Sequence, residues 1–172
     1  KHFGDAYWVW APQTIYDRKA KKYMIYFTLQ RNDRKSLITY YAYANKDFTG
    51  FESEPKQLFS AKYGSIDNDI IEKDGTYHLF YKGNTKDENG KEIKNGIQQA
   101  TSKSLKGKWK EDFKYLDAYA GKTPVEGSSI FKLNGKDEYV LMYDMYTSGR
   151  YEYQTSTDLY HFSEPKAFTK DF

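Results

Sequence analysis

VEGSSIF (residues 125–131) leads into the turn KLNG (132–135), which is followed by the run YVLMY (139–143). Asn-Gly accepts positive φ at both central positions and closes tight hairpins. The run after the turn is aromatic and β-branched, as half-buried strands are. The stretch therefore predicts a first strand that opens at Glu126 and returns through a hairpin.

The same order of residues occurs twice earlier in the chain. DNDIIEK (67–73) leads through Asp74-Gly75 into YHLFY (77–81), and WAPQTIY (10–16) leads through a polar turn at 17–22 into YMIYF (23–27). The openings at Trp10, Asp67 and Glu126 are 57 and 59 residues apart. A repeat of this length predicts a propeller or a solenoid.

Each repeat contains two further strand-like runs. The third runs lie at 36–44, 97–101 and 150–155, and the fourth at about 55–59, 113–116 and 165–169. Apolar residues show no sustained 3.6-residue period, so no helix is predicted. We therefore predict an all-β fold, a β-propeller fragment of about three four-stranded blades at about 10–60, 65–118 and 124–169. A β-sandwich and an irregular β-solenoid are the alternatives, and residues 1–9 are predicted to be an irregular lead-in.

Composition favours one domain and argues against several classes of protein. The 172 residues carry 27 basic and 24 acidic side chains, well interspersed, with a net charge of +3, so no basic patch for nucleic acid is predicted. No apolar run approaches the ~18 residues of a membrane span. The three histidines lack ligand spacing, so a histidine metal site is not expected. Because the chain opens without methionine or a signal peptide, we expect an excised piece of a longer protein.

Three motifs together resemble glycoside hydrolase family 43, the five-bladed propellers that cleave arabinose- and xylose-containing plant polysaccharides. WAP (10–12) with YMIYF resembles that family's second blade, SID (65–67) with Asp74-Gly75 its third, and EGSSIF (126–131) with Gly135 its fourth. The turn that ends in Asp158-Leu159 is also typical of the family. The resemblance covers about residues 7–169 and implies blades two to four of five.

The resemblance implies two catalytic carboxylates. By position, Glu126 would be the general acid, and Asp67 would be the carboxylate that orients it and tunes its pKa. An acid that works near neutral pH needs a raised pKa, which a like charge in a partly desolvated pocket supplies. Asn68 stands where the family usually has proline, and this leaves Asp69 as a rival to Asp67. Without the family, Glu126 reads as a solvated carboxylate, and either aspartate as a turn cap.

The resemblance also implies substrate contacts outside the two carboxylates. Trp10 would stack on the apolar face of a pentose, Arg150 would counter a carboxylate or hold a hydroxyl, and Asp69 would contact substrate if Asp67 is the orienting group. Without a role in substrate binding, Trp10 would simply pack in the core, and Arg150 would make a cross-strand or surface contact.

The implied activity is hydrolysis of α-L-arabinofuranosyl or β-D-xylosyl linkages with inversion, which needs two carboxylates roughly 6.5–9.5 Å apart. The family's general base lies on a first blade that is not in this sequence, so we expect residues 1–172 alone to be inactive. If a base is present after all, Asp5 and Asp69 are the first candidates. The related β-fructosidases carry Arg where Ile66 stands, which argues against them.

The resemblance carries further expectations about partners and location. We expect an oligo- or polysaccharide substrate, no nucleic acid or membrane partner, and a secreted or periplasmic bacterial location. The chemistry requires no cofactor, although a structural calcium in the central channel is compatible with the fold. The alternative function is that of a non-catalytic propeller that binds glycans or proteins.

Overall fold

The computed structural model describes residues 3–34, 37–83, 89, 91, 96–112 and 124–168. These residues form three four-stranded antiparallel sheets and no helix, so none of them lies in a helix that could cross a membrane. The first sheet contains β1 (Ala6–Asp17), β2 (Lys22–Arg31), β3 (Leu37–Tyr43) and β4 (Lys56–Phe59). The second contains β5 (Ile66–Lys73), β6 (Thr76–Lys82), β7 (Ile97–Ser102) and β8 (Lys110–Asp112), and the third β9 (Glu126–Lys132), β10 (Tyr139–Met145), β11 (Arg150–Ser156) and β12 (Lys166–Ala167).

The strands of each sheet follow one another in chain order, so every connection joins neighbours. The first strand of each sheet lies at one edge, and β5 packs against both β1 and β9. First strands that meet in this way are the inner strands of propeller blades. The predicted all-β propeller fragment with three four-stranded blades is therefore confirmed.

Apolar side chains fill the two spaces between neighbouring sheets. Between the first and second sheets, Met24 and Tyr26 pack in one cluster with Ile70 and Leu79. Between the second and third sheets, the cluster joins Phe80 to several buried residues, Ile130 and Leu141 among them. Consecutive residues of β6 therefore enter different clusters, since Leu79 faces the first sheet and Phe80 faces the third.

Buried tyrosines carry their hydroxyl groups into these interfaces. Tyr26, Tyr81 and Tyr143 are almost completely buried. Their hydroxyl groups donate to Asp69, Glu111 and Gln154 respectively, at 3.0–3.1 Å. These three tyrosines thus supply apolar area to the core, and each hydroxyl group keeps a hydrogen-bond partner there.

Several predicted boundaries differ from the structure. Residues 6–9 belong to β1 instead of a lead-in, because β2 extends to Arg31 and pairs with them, so Trp10 lies inside its strand. The turn around Asn134-Gly135 is not a two-residue hairpin: β9 and β10 are joined by residues 133–138, with positive φ at Gly135. In the second sheet the fourth strand is β8, and the predicted strand at 113–116 lies outside the described residues.

Candidate active site

The three inner strands share one irregularity. Each first strand has a bulge against its second strand, between Trp10 and Gln13, between Ile66 and Asp69, and opposite the step from Met142 to Asp144. At each bulge one residue has left-handed backbone: Ala11 (φ 48), Asp67 (φ 54) and Gly127 (φ 66). A bulge of this kind bends the strand and redirects its side chains.

The bulges show that the predicted alignment of the three repeats is wrong by one residue at Asp67. Trp10, Ile66 and Glu126 occupy equivalent positions, paired with Thr28, Lys82 and Asp144, and Asp67 lies one residue further along its strand. The three predicted openings thus lie at the same end of three adjacent strands but not at one position. Asp67 and Glu126 still come together, because the bulge turns the Asp67 side chain towards β9, as its hydrogen bond shows.

Asp67 is held in its left-handed conformation by β9. Its Oδ2 accepts a hydrogen bond from the backbone N–H of Gly127 at 2.9 Å, and its carbonyl oxygen accepts one from Ser128 Oγ at 2.5 Å. Burial raises the pKa of Asp67, the Gly127 N–H opposes this rise, and the Glu126 charge adds to it. A strained aspartate beside another carboxylate is the kind of site where function is commonly found.

Glu126 forms an ion pair with a lysine from the neighbouring blade. Lys82 Nζ, at the end of β6, lies 2.7 Å from Glu126 Oε2, and the two side chains are 14% and 37% exposed. The same ammonium group lies 4.7 Å from the centre of the Tyr146 ring. Asp144 faces Glu126 across the β9–β10 pair, and its pKa is raised by burial and then by the Glu126 charge.

Sequence reasoning did not predict Lys82, Asp144 or Tyr146. Lys82 follows the apolar run YHLFY, and Asp144 follows the run YVLMY. Each lies near the end of a second strand and pairs with the start of the first strand of its sheet. A charged residue directly after each apolar run was the only sign in the sequence that these residues belong to the site. That sign has no meaning until the strand pairing is known.

Asp69 lies at the point where the three sheets meet. Its Oδ2 accepts from the N–H of Ile130 at 2.9 Å, and its Oδ1 accepts from the Tyr26 hydroxyl at 3.1 Å and from the N–H of Ile70 at 2.9 Å. Burial raises the pKa of Asp69, and these hydrogen bonds oppose the rise. Both oxygens are engaged, so the geometry favours a role in joining blades, and the substrate contact stays a prediction.

Trp10 is half-buried and lies under a second indole. Its ring is stacked on that of Trp8, with centroids 5.1 Å apart and planes 11° apart, and Trp8 is 46% exposed. Trp10 was predicted to stack one face of its indole on a sugar, and one face is already stacked on Trp8. The substrate contact predicted for Trp10 remains open.

Arg150 and Asp5 are engaged away from the Asp67–Glu126 pair. Arg150 Nη2 lies 2.7 Å from Glu152 Oε1, and its Nε donates to Met145 Sδ. Asp5 pairs with Arg31 beside the β1–β2 ladder. The structure therefore does not bring either side chain against Glu126, and the substrate contact of Arg150 stays a prediction.

Within the described ranges, no group of three or more His, Cys, Asp or Glu side chains could hold a metal ion. At this end of the inner strands, the carboxylate of Glu126 is paired with the ammonium group of Lys82. A calcium ion in the central channel stays a prediction.

Four-stranded sheets whose first strands meet, with acidic residues at one end of those strands, define a β-propeller domain. The particular family follows from the sequence profile: residues 4–171 match a glycosyl hydrolase 43-related family, described as a probable glycosyl hydrolase domain. The chain belongs to that family. A search of curated proteins finds no match.

Solved structures with the same fold include an endo-arabinase, a β-xylosidase and an α-L-arabinofuranosidase. The endo-arabinase from Bacteroides thetaiotaomicron VPI-5482 matches with a TM-score of 0.56 at 17% identity, over 95% of this chain and 57% of that one. The RS223 β-xylosidase matches at 0.68 and 13%, over 95% and 59%. An α-L-arabinofuranosidase from Clostridium thermocellum ATCC 27405 matches at 0.64 and 11%, over 92% and 54%. The chain thus spans a little over half of each, and these identities establish the fold alone.

Proposed function

We propose that this chain is part of a glycosidase that hydrolyses α-L-arabinofuranosyl or β-D-xylosyl linkages with inversion, and that Glu126 is its general acid. The observation that carries the proposal is the fixation of Asp67 on the N–H of Gly127, the residue after Glu126. This bond places two carboxylates from adjacent inner strands side by side at one mouth. A general acid must hold its proton near neutral pH, and a neighbouring like charge in a partly desolvated pocket favours the protonated form.

The arrangement assigns each group a step. The Glu126 carboxyl gives its proton to the glycosidic oxygen as the bond to the anomeric carbon breaks, and its 37% exposure leaves it within reach of a substrate. Asp67 does not touch the bond and acts by orienting Glu126. Water attacks the opposite face of the sugar and gives its proton to a base from a part of the protein outside these 172 residues.

The proposed sugar specificity is supported by the family and by the similar structures, which are those of an arabinase, a xylosidase and an arabinofuranosidase. A secreted or periplasmic location belongs to the same proposal, because plant polysaccharides lie outside the bacterial cell. No cofactor is needed for this chemistry.

The test is Glu126→Gln in the full-length protein. We expect cleavage of natural arabinosides or xylosides to fall by about 10²–10⁴-fold, because the leaving alcohol loses its proton donor. Aryl glycosides with acidic leaving groups should be cleaved almost normally. Glu164→Gln, a change at an exposed glutamate outside the site, is the matched control. Equal loss on both kinds of substrate would remove Glu126 from the acid role.

One observation favours the second candidate, a non-catalytic glycan-binding propeller. The ion pair with Lys82 holds one oxygen of Glu126 on a cation, and such a fixed contact suits a polar group that binds a sugar hydroxyl better than a free proton donor. Calorimetry with xylo- and arabino-oligosaccharides separates the two functions. Binding without any turnover by the full-length protein would favour the binding module.

A further inference from the structure

Lys82 is the cation that faces the candidate acid, and it comes from another blade. It is the last residue of β6 and pairs with Ile66 in β5, but its side chain reaches β9 and donates to Glu126 at 2.7 Å. Its side chain is only 14% exposed. A long side chain buried to this degree keeps its ammonium group in a narrow region beside Glu126.

Charged and titratable groups face this ion pair from each packed element. Asp67 approaches from β5, and the Lys82 charge lowers its pKa against the larger effect of burial. Asp144 faces Glu126 from β10, and the Tyr146 ring lies 4.7 Å from Lys82 Nζ. One ammonium group therefore acts on two carboxylates, Glu126 and Asp67, whose like charges it offsets, and the charge of Glu126 in turn acts on Asp144.

We propose that Lys82 is a positioning residue that holds Glu126 as an oriented carboxylate at rest and releases it when a glycan binds. The inference rests on the proposed function, which makes Glu126 the general acid. A substrate oxygen that approaches Glu126 takes the place of Nζ, and the ammonium group stays over Tyr146, where its charge still acts on Asp67. Lys82 suits this task, because its flexible stem and compact charge can change partner without leaving the site.

The proton balance follows from the release. Glu126 takes up one proton from solvent once Lys82 has moved, and it passes that proton to the glycosidic oxygen as the bond breaks. The attacking water gives its proton to the base and so to solvent, and Glu126 returns to the carboxylate that pairs with Lys82. The net reaction consumes one water and no other reagent.

The first measurement is the pH profile of kcat/KM in the full-length protein, for Lys82→Met, Lys82→Gln and Lys82→Arg. Loss of a cation beside a carboxylate should move the alkaline limb for natural glycosides upward by about one pH unit, since an opposite charge at this distance shifts titration by 1–3 units. The limb for aryl glycosides should not move. Lys82→Arg, which keeps the charge, should restore the wild-type limb.

The second measurement needs no activity. In protein labelled with ¹³C at the glutamate carboxyl carbon, the Glu126 signal is assigned by its loss in Glu126→Gln, and its titration is followed. We expect the midpoint to rise in Lys82→Met and Lys82→Gln and to stay unchanged in Lys73→Met. Lys73 is the matched control because its side chain is 18% exposed and pairs with Asp74 and Asp137 outside the site.

The outcomes separate the two proposals. A wild-type protein without glycosidase activity would overturn the proposed function, and the Glu126 titration would still decide whether Lys82 controls that carboxyl. An unchanged Glu126 midpoint in both neutral variants, or Lys82→Arg behaving like Lys82→Met, would overturn the role of Lys82. Lower stability with unchanged titration would show a merely structural ion pair.

Discussion

Replacing Asp69 by alanine should destabilise the fold more than any surface carboxylate change, because one side chain joins three sheets. Its oxygens accept from Ile130 N–H in β9, from the Tyr26 hydroxyl in β2 and from Ile70 N–H in its own strand. Tyr26 is fully buried, and Ile130 is 6% exposed. Water cannot easily replace the lost acceptor at either donor.

The magnitude follows from the donors left unpaired. Ile70 N–H keeps a bond to the Tyr26 hydroxyl at 3.1 Å, so its loss is partial. Ile130 N–H and the Tyr26 hydroxyl proton lose their acceptor, and each buried unsatisfied donor costs about 1–3 kcal/mol. Removing a buried charge offsets part of this cost, so we expect Asp69→Ala to lower the free energy of unfolding by about 2–4 kcal/mol. That is a large part of the roughly 5–15 kcal/mol of a typical domain.

Urea denaturation of the full-length protein measures this change, with Asp137→Ala as the matched control. Asp137 is an exposed carboxylate paired with Lys132 and Lys73, and exposed ion pairs contribute little, so its removal should leave the free energy of unfolding almost unchanged. A loss below 1 kcal/mol for Asp69→Ala would refute the view that Asp69 joins the blades. It would leave the carboxylate free for the substrate contact predicted from the sequence.

Two further predictions concern pH and backbone conformation. Burial lowers the pKa of His78 to about 4, so the unfolded chain binds its proton more readily, and the free energy of unfolding should fall by about 3 kcal/mol as the pH falls from 6.5 to about 4. His78→Gln should flatten that part of the pH–stability curve, and an unchanged slope would contradict a buried neutral imidazole. Gly127→Ala places a Cβ no closer than 3.7 Å to Asp144 but at φ 66, so it should cost about 1–2 kcal/mol by thermal denaturation. Gly4→Ala, at a position with open space and no left-handed backbone, is its control.

The sequence alone determined that the chain contains three repeats and that the strands follow one another in order. It also showed that acidic residues lie at the start of the second and third repeats. These features are local, because alternating apolar residues and polar turns at Asp17–Lys22 and Asp74-Gly75 specify strands and hairpins without reference to distant residues. They also carried the resemblance that named Glu126 and Asp67, two carboxylates that the structure brings to one mouth. The start of β1 could not be predicted from the sequence, because only the pairing with the extended β2 shows that Ala6 already belongs to a strand.

Only the tertiary structure decided which groups surround Glu126. Left-handed backbone at Ala11 and Asp67 is not signalled by residue type, as it is at Gly127, and Asp67 adopts it where its carboxylate bonds the next blade. Lys82 and Glu126 are 44 residues apart and meet because β6 and β9 lie in sheets that pack against each other. Contacts between blades depend on the bulge, the packing and the direction of each side chain together, and no single stretch of sequence contains all three.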